Sequence, residues 1–79
     1  MEVRYSKSAQ MALRRSDKRQ LIRQKIEQLV SDPKSLGANV KRLRGRPESR
    51  LRVQDWRIIF EREGDILLVK EIEPRGSIY

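Results

Sequence analysis

The chain contains no cysteine and no histidine among its 79 residues. The first absence removes any disulfide framework. The two together remove the usual ligands of zinc and transition-metal sites, and the base of any serine-histidine or cysteine-histidine nucleophile system. No cofactor is expected. No apolar run approaches the roughly eighteen residues of a membrane helix, and no apolar signal region follows the Met1-Glu2-Val3 start. Neither membrane insertion nor secretion is expected, and the cytoplasm is the simplest location. Aromatic residues make up only 5% of the chain, so a core falls to Leu, Ile and Val.

What is present is charge. Charged residues reach 38% against 37% hydrophobic, well above the roughly 25% charged of an average domain. Nineteen Lys plus Arg against eleven Asp plus Glu leave a net charge of +8 and a pI near 10.6. That balance fits a polyanionic partner, whether nucleic acid, an acidic protein or an anionic membrane surface, and does not choose among them. The length implies one domain over residues 1–79 with a small core, since a chain of this size buries only about 60% of its unfolded surface.

Val3 and Tyr5 alternate with Glu2 and Arg4, which predicts a short edge strand. Ser6 or Ser8 can cap a first helix in which Ala9, Ala12 and Leu13 recur at helical spacing up to Ser16. Ser16 or Asp17 can cap a second, with Leu21, Ile22, Ile26, Leu29 and Val30 on one face. Asp32-Pro33 ends it. Its opposite face carries Lys18, Arg19, Arg23 and Lys25, readable as a nucleic-acid patch or as an ordinary solvated face. Gly37 to Asn39 is a turn, Val40 to Leu43 a short strand, and Gly45-Arg46-Pro47 a loop.

Arg50 to Val53 and Trp56 to Arg62 alternate charged with apolar residues, as two strands or one bent at Gln54-Asp55. Glu63-Gly64-Asp65 is a hairpin turn. The continuous run Ile66 to Val69 predicts that the strand Ile66 to Ile72 is central and covered on both faces. The fold class is therefore α+β: an N-terminal strand, a two-helix hairpin, then a three- to four-stranded antiparallel sheet with the helices on one face.

The densest basic run of the chain lies in this second half. Lys41, Arg42, Arg44, Arg46, Arg50 and Arg52 fall between Val40 and Arg52 with Glu48 as the one acid. Arg50 and Arg52 share a strand face, and Arg57 meets them if the Gln54-Asp55 bend shifts the alternation. Several guanidiniums on one sheet face suit phosphate. Alternatively each pairs with Glu48, Asp55, Glu61 or Glu71 across strands, at about 0.2–1 kcal/mol per pair.

RNA cleavage needs no metal. The 2′-hydroxyl attacks the adjacent phosphate once a base takes its proton, cations stabilise the added charge and an acid protonates the leaving oxygen. Without His, proton transfer falls to Tyr, Lys, Arg or a carboxylate. Tyr79 is the best placed, because nearby arginines favour its ionised form. Arginine is a poor base but a good clamp for a dianionic phosphorane. Trp56 could stack on a base or pack into the core.

Leu43-Arg44-Gly45, the run from Leu51-Arg52-Val53 through Asp55-Trp56-Arg57-Ile58-Ile59-Phe60, and the closing Arg75 to Tyr79 together resemble the RelE/ParE superfamily of type II toxins. The three matches fall in order and span nearly the whole chain. The resemblance implies the strand, helix-hairpin and antiparallel-sheet fold already read from periodicity. It also implies a toxin: in the RelE branch a metal-independent endoribonuclease cutting mRNA, typically on the ribosome, and in the alternative ParE branch a DNA gyrase inhibitor without nuclease activity.

By similarity the catalytic set is Arg50, Arg52, Arg57, Arg75 and Tyr79, with Lys41, Arg42, Arg44, Arg46 and Trp56 as RNA contacts. Retention of that set favours the ribonuclease branch. Where ribosome-dependent members carry two lysines two residues apart, this chain has Glu48 and Arg50, which leaves the general base open among Glu48, Arg50 and Tyr79. The resemblance further implies an acidic antitoxin that covers the basic site, with operator DNA bound through that antitoxin.

Overall fold

The computed structural model describes residues 1–74. The elements are β1 (Glu2–Tyr5), α1 (Lys7–Arg15), α2 (Arg19–Ser31), a 3-10 segment (Pro33–Asn39), β2 (Val40–Arg42), β3 (Ser49–Val53), β4 (Trp56–Glu63) and β5 (Ile66–Pro74). The five strands form one sheet in the order β1-β5-β4-β3-β2. The four later strands pair antiparallel, while β1 joins the edge beside β5 in parallel, so the sheet is mixed.

The expected α+β architecture is present, with both helices on one face. Ala9 and Leu13 of α1 and Ile22, Ile26 and Leu29 of α2 are buried against Leu51, Val53, Ile58, Phe60, Leu67, Val69 and Ile72 of the sheet. The spacing of the α2 residues is the three-to-four repeat that puts one stripe of a helix on a core.

Ser6 caps α1, with extended backbone angles and an Oγ that accepts the Ala9 N–H at 3.0 Å. Neither Ser16 nor Asp17 caps α2, as the sequence had suggested. Lys18 occupies the cap position without a side-chain bond. The buried Ser16 hydroxyl instead accepts the Lys18 N–H at 2.9 Å, which ties down the turn between the helices. α2 stops at Asp32, before Pro33, and the expected turn at 37–39 is the end of the 3-10 segment, which buries Leu36.

Tight two-residue turns join the later strands. Val53 faces Trp56 across Gln54-Asp55, and Gln54 takes a φ of +52° to make that turn. Glu63 faces Ile66 across Gly64-Asp65, with Gly64 at +57°. Arg50–Val53 and Trp56–Glu63 are thus parts of two paired strands and not one bent strand.

The prediction for the last strand needs correction. β5 is interior to the sheet as expected, between β1 and β4, but it is buried on one face only: Leu67, Val69 and Ile72 face the helices, whereas Ile66 and Leu68 are half-exposed on the other side. The spacing from 69 to 72 breaks the alternation because the β4–β5 register shifts there. Ile59 faces Glu71, the next pair is Phe60 with Val69, and Lys70 is the extra residue of a β-bulge. The bulge turns Ile72 into the core and leaves Glu71 and Glu73 outside.

Ser6 serves that bulge too. Its hydroxyl donates to the Lys70 carbonyl at 2.6 Å, and its backbone N–H donates to the Val69 carbonyl at 2.9 Å. One side chain therefore caps a helix and satisfies a carbonyl at the bulge. Ser6→Ala should lower unfolding free energy by about 1–2 kcal/mol in urea titration, the upper range of a lost N-cap. Ser8→Ala, whose contact with the same carbonyl is 3.4 Å long, should cost less.

Candidate phosphate-binding face

Residues paired directly across strands share a sheet face, as do alternate residues along a strand. On the face away from the helices, Arg52 lies opposite Arg57, and Arg57 opposite Glu73. The next row runs Lys41, Arg50, Ile59, Glu71. The two-residue turn supplies the change of alternation needed to bring Arg57 beside Arg52. The sheet thus gathers Arg50, Arg52, Arg57 and Lys41 on one face.

Like charges directly opposite each other are unfavourable without a counter-ion. Among the described residues no ion pair involves Arg50, Arg52 or Arg57, and the Arg50 Nε is buried without a hydrogen-bond partner. Two of the carboxylates that might have quenched them, Glu48 and Glu61, are engaged elsewhere. Lys70 Nζ lies 2.9 Å from Glu48 and 2.7 Å from Glu61, and Arg46 Nε lies 3.1 Å from the other oxygen of Glu48.

Sequence reasoning missed Lys70 because its role follows from the bulge. The available signal was a lysine closing an apolar run, which an unbroken alternation would have placed on the opposite side from Leu67 and Val69.

The remaining candidates scatter. Arg46 reaches the face by its bond to Glu48, and Arg44 is exposed in the loop between β2 and β3. That loop is closed by the Leu43 N–H donating to the Glu48 carbonyl, with Gly45 at a φ of +71°. Arg42 faces the helix side, opposite Ser49, where it borders an open groove with Leu29, Phe60 and Arg62. Trp56 is half-buried against the helix-side core, so it does not share the arginine face. Arg75 and Tyr79 lie outside the described residues.

Glu48 is 9% exposed. The hydrogen bond from Lys70 holds its carboxyl below the ordinary carboxylate value, with the Lys70 and Arg46 charges adding and burial opposing. A carboxylate with both oxygens occupied and a lowered pKa is a weak proton acceptor. The geometry therefore favours Glu48 as a structural anion over a general base. Bonds to Glu61 and then Glu48 push the Lys70 ammonium well above its usual range, so it too is no base.

Because the folded-state pKa of Glu48 is depressed, its contribution to stability is present above its ordinary value of 4.5 and is lost as pH falls through the depressed value. Lys70, being raised, contributes fully below 10.5 and loses that contribution only in stronger alkali. Glu48→Gln should therefore be less stable than wild type at neutral pH, and the gap should narrow steadily below pH 4.5. Urea unfolding of both proteins from pH 7 to pH 3 checks the convergence.

Comparison with known proteins gives a consistent picture. The family model described as the ParE toxin of the type II toxin-antitoxin system matches residues 3–79. Among curated proteins no significant match is found. Among solved structures, the chain is similar to one in the RelB-RelE antitoxin-toxin complex from Methanococcus jannaschii, at 25% identity and TM-score 0.79, covering 96% of this chain and 94% of that one. The archaeal RelE-RelB complex from Pyrococcus horikoshii follows at 22% identity, TM-score 0.76 and coverage of 95% and 94%. YafQ from E. coli matches at 14% identity and TM-score 0.74 over 99% and 97%. The likeness to these last two concerns the fold alone. A family match over nearly the whole sequence, on a sheet and helix hairpin arranged as in those structures, places this chain in the RelE/ParE superfamily, as a member of the ParE toxin family of type II toxin-antitoxin systems.

Proposed function

We propose that this toxin is a metal-independent endoribonuclease that cuts messenger RNA, on the ribosome, and so stops translation. One observation carries the reading: Arg50, Arg52 and Arg57 stand on a single sheet face and form no ion pair among the described residues, while Glu48 and Glu61 are bound to Lys70 and Arg46. An arrangement of unpaired guanidiniums side by side is complementary to an RNA phosphate.

In this reading Arg52 and Arg57 grip the non-bridging oxygens of the scissile phosphate. Their attraction strengthens as the 2′-oxygen attacks and the phosphorane gains a second negative charge, so the clamp favours the transition state over the bound substrate. Arg50 stands beside them as a further phosphate contact, and Lys41 extends the positive track. Arg75 and Tyr79 complete the set by resemblance, Arg75 as the distal arginine and Tyr79 as the proton carrier. With Glu48 neutralised by its cations, Tyr79 is the preferred proton carrier.

The partner is an acidic antitoxin that covers this face and leaves operator binding to its own DNA-binding part. Relatives are seen as toxin-antitoxin complexes, and a net charge of +8 suits such a partner. A target in translation places the toxin in the cytoplasm.

A second reading has one observation in its favour, the match to the ParE toxin family model. Under it the same face binds DNA gyrase and cuts nothing.

Induction of the chain in bacterial cells, with mapping of message 5′ ends, separates the two. Codon-phased cuts should appear, and Arg57→Ala or Arg75→Ala should reduce them by about 100-fold, the usual cost of removing one transition-state donor. Binding to the antitoxin should persist. Growth arrest with intact messages and inhibited supercoiling would establish the gyrase reading instead.

A further inference from the structure

Glu48 and Glu61 raise a problem that the fold answers with Lys70. Ser49 pairs with Phe60, so the residues flanking that pair, Glu48 and Glu61, meet across β3 and β4 on the arginine face. Their side chains are only 11% and 16% exposed. Two carboxylates opposite each other repel, and both lie within reach of Arg50, which is two residues along β3 from Glu48 and diagonal to Glu61. A long arginine side chain spans such a distance readily. Yet the Arg50 Nε has no partner, and both carboxylates are turned to Lys70.

The charges balance within this group. Lys70 and Arg46 together match Glu48 and Glu61, leaving a neutral cluster beside the arginines. Remove Lys70, and one net negative charge appears next to Arg50 in a half-buried setting, where attraction between charges is stronger than in open water. The freed carboxylates would then take the Arg50 guanidinium, and the face would quench itself.

We propose that Lys70 is a positioning residue of the phosphate face: by bridging Glu48 and Glu61 it keeps both carboxylates from capturing Arg50, so that the arginines remain open to RNA. Lys70 acts through Arg50 and need not touch the substrate. The inference rests on the nucleic-acid reading above, and it explains why a chain with so many arginines on one face keeps two poorly exposed acids among them.

The test uses the full chain and a short single-stranded RNA blocked at its 2′-hydroxyls, so that binding is read without cleavage, over a series of salt concentrations. Lys70→Met should weaken binding about tenfold, the effect of losing one charge-assisted contact. It should also reduce the salt slope by about 0.7, the value for one phosphate contact on a single strand. In that background Arg50→Ala should have little further effect. Lys70→Met/Glu61→Gln, which removes the surplus charge, should restore affinity to within about twofold of wild type.

If Lys70 touched the RNA, or merely held the fold, the double variant would stay weak and the proposal would fail. Unchanged binding in Lys70→Met would overturn it as well. Arg52→Ala separates this from the wider reading: if that variant binds as wild type does, the phosphate face itself is wrong and both fall. If Arg52→Ala is weakened and Lys70→Met is not, the positioning role alone is wrong.

Discussion

The single extra residue in β5 is the constraint on which both faces of the sheet depend. Before Lys70 the strand sends odd-numbered residues to the helices, and after it the even-numbered Ile72 takes that place. A bulge leaves local backbone groups outside the regular ladder, and these must find partners elsewhere. Here Ser6 donates to the Lys70 carbonyl from the start of α1. The helix cap, the register of the core and the position of the lysine that occupies two carboxylates are therefore one coupled arrangement. None of them can be altered by a residue without disturbing the others.

Much of the architecture was legible because it obeys simple periods. The alternation of Val3 and Tyr5, the apolar stripe of α2, Pro33 after Asp32 and Gly64 in its turn each announce their element and appear where the period puts them. A continuous Ile-Leu-Leu-Val run suggests a strand covered on both sides, but the helices lie on one face only, so Leu67 and Val69 are buried while Ile66 and Leu68 stay half-open. Ser16 looked like a cap and became a turn staple, because the chain needs a buried acceptor between two closely packed helices.

The candidate site divides along the same line. Arg50, Arg52 and Arg57 were placed together from strand alternation, and the two-residue turn at Gln54-Asp55 makes that placement hold. Arg42 and Trp56 belonged to the same basic or aromatic neighbourhood in sequence, yet strand parity carries them to the helix side. Identity of the quenching partners could not be read at all, since every acid in β3 to β5 was an equal candidate until the bulge chose Lys70. Charge is also less concentrated on the sheet than the sequence suggested: residues 7–31 hold seven basic and two acidic side chains, so most of the net charge of +8 lies on the helix hairpin.

The parallel pairing of β1 with β5 has a consequence in time as well as in space. Glu2 aligns with Ile66 and Tyr5 with Val69, and Ser6 reaches a carbonyl 64 residues away. β1 has no sheet partner until β5, the last strand described, exists. Such non-local closure is slow compared with the helix hairpin, which needs only its neighbours. A chain short of β5 therefore leaves β1 unpaired, while the β3–β4 pair that carries Arg50, Arg52 and Arg57 closes locally.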